Sequence, residues 1–404
     1  MERYWKLIFI SCLLVFGIGF FYLHHTFAEK EVPKYTWEKQ AGNDEALEDV
    51  LMEGYVQGEN YFSEEIQLAG EDRIYASQLS FFEKLNGVIK NPKIKELQQE
   101  YRGFMRGKAE NTEIYFENEN ILAYADVKSE SDSSQFGQGN FELEVEALYK
   151  KEDKTTSFSI KIPNQNDYDY MAVQDVMAIN GKLYVVTQND IYEGEDEYYT
   201  EWRLYTLHLK EEKLISEAKL FSNKGEDDSE NEGGYLLQDP DQLSASKYIA
   251  IEVTKVVDGV SMVDIHLFDL ETQEKLPVDV PKELLEQEVI AHMDAKKLYF
   301  IHEQEGKIKI TPYQFVKQKV EEPFEIPISE SINSSMTKYT KFINDKLYIL
   351  YDMNSEMDGK NRLPLMYVID LKEKKLFYQG KLKADNKEAE NKYLSIYMMY
   401  ENER

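Results

Sequence analysis

Asn180-Gly181-Lys182-Leu183-Tyr184-Val185-Val186 reads as a two-residue turn feeding an aromatic and β-branched strand. The same theme stands at Glu119-Asn120-Ile121-Leu122-Ala123-Tyr124, at Ser246-Lys247-Tyr248-Ile249-Ala250-Ile251 and at Lys296-Lys297-Leu298-Tyr299-Phe300-Ile301. A fifth copy is Asn344-Asp345-Lys346-Leu347-Tyr348-Ile349-Leu350. The matched positions 121, 183, 248, 298 and 347 lie 62, 65, 50 and 49 residues apart, which makes them a repeat.

A companion strand follows three of the copies. Arg203-Leu204-Tyr205-Thr206-Leu207 runs into Lys210-Glu211-Glu212-Lys213, Ile265-His266-Leu267-Phe268-Asp269-Leu270 into Glu271-Thr272-Gln273-Glu274-Lys275, and Met366-Tyr367-Val368-Ile369-Asp370-Leu371 into Lys372-Glu373-Lys374-Lys375. Four short antiparallel strands per repeat have the pattern of a propeller blade, and no such sheet covers both of its faces without neighbours. Over about residues 110–385 the chain resembles the β-propeller superfamily in this general pattern, without kelch glycine pairs, a WD signature or Asp boxes. The fold class implied is all-β, a propeller-like domain of about 5–7 blades. A sixth unit forms if the terminal strand from Tyr393 to Tyr400 pairs near Ile66 to Ala76. Two β-sandwiches or an elongated solenoid are the alternatives.

The N-terminus is of another kind. Arg3 and Lys6 precede an uncharged run that begins at Leu7 and ends at Leu23, flanked by Tyr4 and Trp5 on one side and Phe21 and Tyr22 on the other. That is the pattern of a transmembrane signal-anchor with its N-terminus in the cytoplasm. The competing reading is a signal peptide cleaved near Ala28, after Thr26-Phe27-Ala28. The expected organisation is a cytoplasmic stub (1–6), a transmembrane helix (7–28), a polar tether (29–59) carrying Pro33, Gly42, Gly54 and Gly58, and an extracytoplasmic domain (60–404). Within that domain, residues 80–108 interrupt the β pattern. Phe81, Phe82, Leu85, Val88 and Ile89, then Ile94, Leu97, Tyr101, Phe104 and Met105, have helical spacing on either side of Asn91-Pro92.

The net charge of −29 repels polyanions, so nucleic acid is not an expected ligand. Against that background residues 84–108 hold seven basic and two acidic residues. Lys93, Arg102 and Arg106 are therefore candidates for docking a partner or an anionic lipid surface, the alternative being cations paired with the domain's own carboxylates. The one cysteine, Cys12, lies in the apolar run, so the domain has no disulfide and no thiolate metal site. A lipid-attachment reading of Ser11-Cys12 is disfavoured by Phe9 and by the apolar residues beyond.

Signatures of chemistry are weak. Ser216/Lys219, Ser244/Lys247 and Ser335/Lys338 match Ser-x-x-Lys at chance frequency, and no Gly-x-Ser-x-Gly elbow or P-loop is present. His208, His266, His292 and His302 show no zinc spacing. The acidic runs 193–197 and 226–232 lack calcium-loop alternation, and Asn354-x-Glu356-x-Asp358-Gly359 has Leu365 where a bidentate Glu belongs. Asp175, Asp241 and Asp264 are conceivable channel-facing carboxylates. The sequence thus yields no catalytic residue, cofactor or metal. Its reading is a non-enzymatic binding, sensor or scaffold protein of a bacterial cell envelope, and the alternative is an exported, calcium-assisted enzyme acting on carbohydrate.

Overall fold

Asn180 and Gly181 take φ of 52° and 76°, the left-handed pair of a type I′ hairpin, and Asn344 and Asp345 repeat it at 49° and 61°. The computed structural model in which these turns appear describes residues 5–28, 34–57, 63–70, 72–80, 83, 91–129, 140–193, 198–224, 233–239, 243, 246–257, 260–285, 290–304, 306–328, 337–352, 363–385 and 393–402. Most of the described residues outside the N-terminal helix lie in strands, arranged as six antiparallel sheets of four or five strands. The chain divides into two compact units, residues 1–92 with 333–404 and residues 93–332.

The discontinuous unit opens with helix α1 (Trp5–Ala28). Phe9, Ile10, Leu13, Leu14, Val15, Phe16, Ile18 and Phe20 on it are exposed. Among the described residues no helix is long and apolar enough to cross a membrane. Strands β1 (Tyr35–Gly42), β2 (Val50–Gln57), β3 (Ser63–Ala69) and β4 (Asp72–Tyr75) follow. This corrects the expected tether, because residues 35–42 and 50–57 are sheet.

The continuous unit begins with α2 (Pro92–Glu100) and α3 (Arg102–Met105), whose Ile94, Leu97, Phe104 and Met105 are buried in its core. The second helical piece of the insertion is therefore present, whereas most of the first lies outside the described residues. Its four sheets use consecutive strands. The first is β5 (Tyr115–Glu117), β6 (Ile121–Ser129), β7 (Phe141–Tyr149) and β8 (Lys154–Lys161). The second is β9 (Tyr170–Ile179), β10 (Lys182–Tyr192), β11 (Tyr198–His208) and β12 (Lys213–Ser222). The third is β13 (Gly233–Leu236), β14 (Tyr248–Val257), β15 (Val260–Asp269) and β16 (Glu274–Leu276). The fourth is β17 (Ile290–Met293), β18 (Lys297–Gln304), β19 (Lys307–Gln314) and β20 (Lys319–Val320), with β21 (Phe324–Pro327) also on β19. In the discontinuous unit β22 (Thr337–Ile343), β23 (Lys346–Asp352), β24 (Leu365–Asp370), β25 (Lys375–Ala384) and β26 (Tyr393–Glu401) complete the chain.

The repeated sequence theme is the second strand of five sheets: β6, β10, β14, β18 and β23. Its apolar residues run without alternation because both faces are covered. Leu183 and Val185 of β10 join Leu122 and Val145 of the first sheet, while Tyr184 and Val186 meet Ile249 and Ile251 of the third. Ala250, on the opposite face of β14, packs with Leu298 and Phe300 of the fourth. Each third strand then turns into its fourth through one left-handed residue: Asp153, Glu212, Gln273, Gln318 or Lys374. Asp269 and Asp370 cap two of these turns by accepting two backbone N–H bonds each.

The ends of the chain are exchanged. Strand β1 pairs with β25 at the edge of the sheet β22–β25, and β26 pairs with β2, not with the expected 66–76 segment. Asp385 and Lys34 bond through their backbones at 2.9 Å, as do Asn402 and Asp49, and Lys346 reaches Asp49 at 2.7 Å. Both sheets share one core that includes Met52, Ile66, Leu350, Val368, Leu394 and Ile396.

Candidate functional site

Within the continuous unit a cavity of about 450 Å³ lies between the second sheet and β13, inside the usual range of about 300–1,000 Å³ for ligand sites. Four irregularities build it. A bulge in β9 leaves Gln174 unpaired between Val173, which faces Thr187, and Asp175, which faces Val186. Such a bulge re-aims a side chain out of the ladder. Strands β10 and β11 run on together to the pair Tyr192 and Tyr198, carrying Gln188, Thr200 and Trp202 along the wall. A second bulge, between Trp202 and Arg203 on β11 against β12, brings Phe221 opposite Trp202. The fourth wall is glycine: a Cβ on Gly234 would stand 2.8 Å from the Phe221 ring and 3.3 Å from the Trp202 indole nitrogen. No larger residue fits there without moving that ring.

The lining is neutral and amphipathic. Gln174, Gln188, Asn223 and Gln238 supply amides, Thr200, Tyr198 and Tyr235 hydroxyls, Trp202 and Phe221 apolar planes, and Glu113 one carboxylate. Some of this hydrogen-bonding capacity is used: the Thr200 N–H donates to Asn223 Oδ1 at 2.6 Å, and Gln238 Nε2 donates to the Tyr248 carbonyl at 3.0 Å. Gln238 Oε1 is buried and accepts nothing. A buried amide oxygen left so is costly unless something donates to it. At the mouth Tyr198 and Tyr235 are half or more exposed, and Tyr192 lies against Tyr198 with ring centroids 5.1 Å apart.

Of the carboxylates singled out from sequence, Asp175 sits on β9 next to the bulge, and burial pushes its carboxyl up to about 7; the Val176 N–H opposes that rise and the Glu113 carboxylate adds to it. Glu252, on the strand that pairs with β13, is likewise pushed up to about 7 by burial. Asp264 lies on the third strand of its sheet, 3.2 Å from His266, whose hydrogen bond holds its carboxyl below the usual range. Asp241 and the run 226–232 lie outside the described residues, as do residues 354–359. Glu193 pairs with Lys224 at 2.6 Å.

The basic helices divide. Lys93 bridges Glu96 at 2.7 Å and Glu117 at 3.1 Å, Lys108 reaches Glu146 and Lys150 reaches Glu117. Those cations pair with carboxylates of the helix and first sheet. Arg102 and Arg106 are exposed.

Among the described residues Ser216 and Lys219 do not assemble a nucleophile, and Ser244 and Ser335 lie outside them. Ser216 accepts from Gln273 Nε2 at 2.6 Å while Lys219 points to Glu201 at 3.5 Å. His208 Nδ1 accepts the Glu211 N–H inside a turn. Among the described residues no three His, Cys, Asp or Glu side chains are grouped to hold a metal.

Gln174, Gln188, Trp202, Asn223 and Gln238 were not legible, because uncharged side chains scattered over three strands and just past the ends of two others leave no spacing signal. The pair Gly233-Gly234 was the visible trace.

No family model matches the chain, and no curated protein does so. Among solved structures it is similar to TolB from Acinetobacter baumannii, at 11% identity and TM-score 0.27 over 86% of this chain and 67% of that one. It is also similar to Porphyromonas gingivalis dipeptidyl peptidase 4, at 11% identity and TM-score 0.33 over 78% and 42%. A prolyl endopeptidase matches at 10% identity and TM-score 0.37 over 84% and 43%. The chain spans less than half of either peptidase, and likenesses this distant carry no argument about activity.

Proposed function

We propose that this chain is a membrane-anchored, extracytoplasmic binding protein of the cell envelope, with its ligand held in the cavity between the second sheet and β13. In this reading the sheets are propeller-like blades, and α1 is the anchor, N-terminus inside. The observation that carries the binding role is the lining of a cavity of ligand size by four side-chain amides, two phenols and the apolar planes of Trp202 and Phe221. Exposed apolar side chains along α1 favour the anchor, since such a surface is unfavourable in water. Arg102 and Arg106, exposed on the continuous unit, are then available to dock a partner or an anionic lipid surface.

Protease added to intact cells tests the topology. Digestion of everything beyond the anchor supports it, and full protection contradicts it. Affinity capture from envelope extracts with wild-type protein and with Gln174→Ala tests the site: a component retained by the first and lost with the second is expected, and equal retention by both contradicts it.

A second reading, an exported enzyme acting on carbohydrate, is favoured by Asp175, which burial holds near neutrality close to Glu113, as a general acid requires. Turnover of a glycan that disappears in Asp175→Asn would put this reading first.

A further inference from the structure

We infer that the ligand class of this cavity is a neutral oligosaccharide; the inference rests on the binding role proposed above and names what is bound. Three independent features of the wall point to it.

The first is charge. Among the described residues that line the cavity there is no Lys, Arg or His, and Glu113 is the one carboxylate. In a chain of net charge −29 an anionic ligand has no counter-charge there. A fatty chain fits no better, because four amides, a threonine hydroxyl and two phenols interrupt the apolar surface.

The second is the pairing of donors and acceptors. Sugar hydroxyls donate and accept at once, so they match a wall that offers both. Asn223 spends its Oδ1 on Thr200 and keeps an amide N–H pair, while Gln174, displaced by the bulge, offers a whole amide. Trp202 is 4% exposed, and its indole nitrogen stands 3.3 Å from where a Cβ on Gly234 would be. Amides that give and take from one group bind adjacent hydroxyls in pairs.

The third is aromatic. Trp202 and Phe221 form the inner wall, and Tyr198 and Tyr235 expose their rings at the lip at 50% and 65%. Rings that are wet at one end and apolar on the face stack on the C–H faces of pyranoses. Tyr192, 5.1 Å from Tyr198, extends that lip outside the cavity, so the bound chain continues past the pocket.

The test uses the full-length protein in detergent and four probes: chitotetraose, maltotetraose, tetra-alanine and spermine. Titration calorimetry is run on wild type, Gln174→Ala and Gly234→Ala, with thermal melts as a folding control. The expected result is saturable binding of one of the two sugars, weakened tenfold or more in Gln174→Ala without change in its melting temperature. Gly234→Ala should also lose binding, because its added methyl carbon narrows the cavity. Binding of tetra-alanine or spermine that is sensitive to Gln174→Ala, without a sugar response, overturns the ligand class and leaves the binding role standing. A sugar response indifferent to both variants overturns the site itself.

Discussion

The two compact units assemble their sheets in opposite ways. In residues 93–332 every sheet is made of strands that follow one another in sequence, and each core is shared with the next sheet along the chain. In the other unit each sheet borrows a strand from the far end: β1 completes β22–β25, and β26 completes β2–β4. Local pairing has a small loop-closure cost, so the continuous unit can carry bulges and a cavity and remain folded. The exchanged unit cannot complete either sheet until the two ends of the chain meet. Its glycines are placed accordingly. A Cβ on Gly54 would stand 2.3 Å from the Ser395 carbonyl oxygen, where β26 bulges at Tyr397, and Gly42 turns out of β1 at φ +85° against the Phe377 carbonyl. The proposed ligand site thus falls in the unit that tolerates irregularity, and the unit that contains α1 is the one held by its ends.

The strongest way to break this contrast is to end the chain after Ala384. That removes β26 and uncovers Val50, Met52 and Val56. Hydrogen exchange should lose protection over β2, β3 and β23 while β9–β12 and β14–β15 keep theirs; equal loss in both units would refute the distinction. Next, Gly54→Val should cost about 3 kcal/mol or more through backbone overlap. A melt with one early transition, assigned by exchange to the exchanged unit, checks it.

A smaller effect separates the units by pH. Asp175 and Glu252, both in the continuous unit, have carboxyls raised to about 7 in the folded protein, against about 3.9 and 4.3 when unfolded. Between about pH 4 and 7 the folded state binds more protons than the unfolded one, so these two groups lower stability as pH rises through that window. Asp175→Asn and Glu252→Gln should therefore flatten the decline and raise the melting temperature at pH 8 by about 2–6 °C, with no gain at pH 4. The smallest effect is expected from Arg102→Glu with Arg106→Glu. Stability should change by no more than about 0.5 kcal/mol, while sedimentation with phosphatidylserine vesicles should weaken at low salt; unchanged sedimentation contradicts lipid docking.

The sequence showed the β architecture because its signal was strong: five copies of an apolar strand behind a polar turn, each the second strand of a sheet. Of the sixth sheet it showed the terminal strand and the 66–76 segment, and hid the strand that joins them. The second strand of that sheet, Val50–Gln57, is interrupted by Gly54, and with Pro33, Gly42 and Gly58 nearby the segment has the composition of a linker. Those glycines serve close backbone approach and a left-handed turn, which composition alone does not distinguish from flexibility. The basic helical segment was legible as an insertion, and Lys93 resolves into ion pairs with Glu96 and Glu117. The cavity was not legible. Its residues come from β9 through β13 and meet through a bulge one residue long, which leaves no periodic trace. Asp175 was noticed for its charge, whereas the bulge at Gln174 that places it beside the cavity depends on register.

Hydrogen exchange of the full-length protein with and without a saturating neutral oligosaccharide addresses the account most directly. Slowed exchange confined to residues 170–174, 198–202 and 233–236 is the predicted result. Slowing instead along β2 and β26, where Tyr55 stacks with Tyr393 and Tyr397, would contradict it and move the ligand to the unit held by its ends.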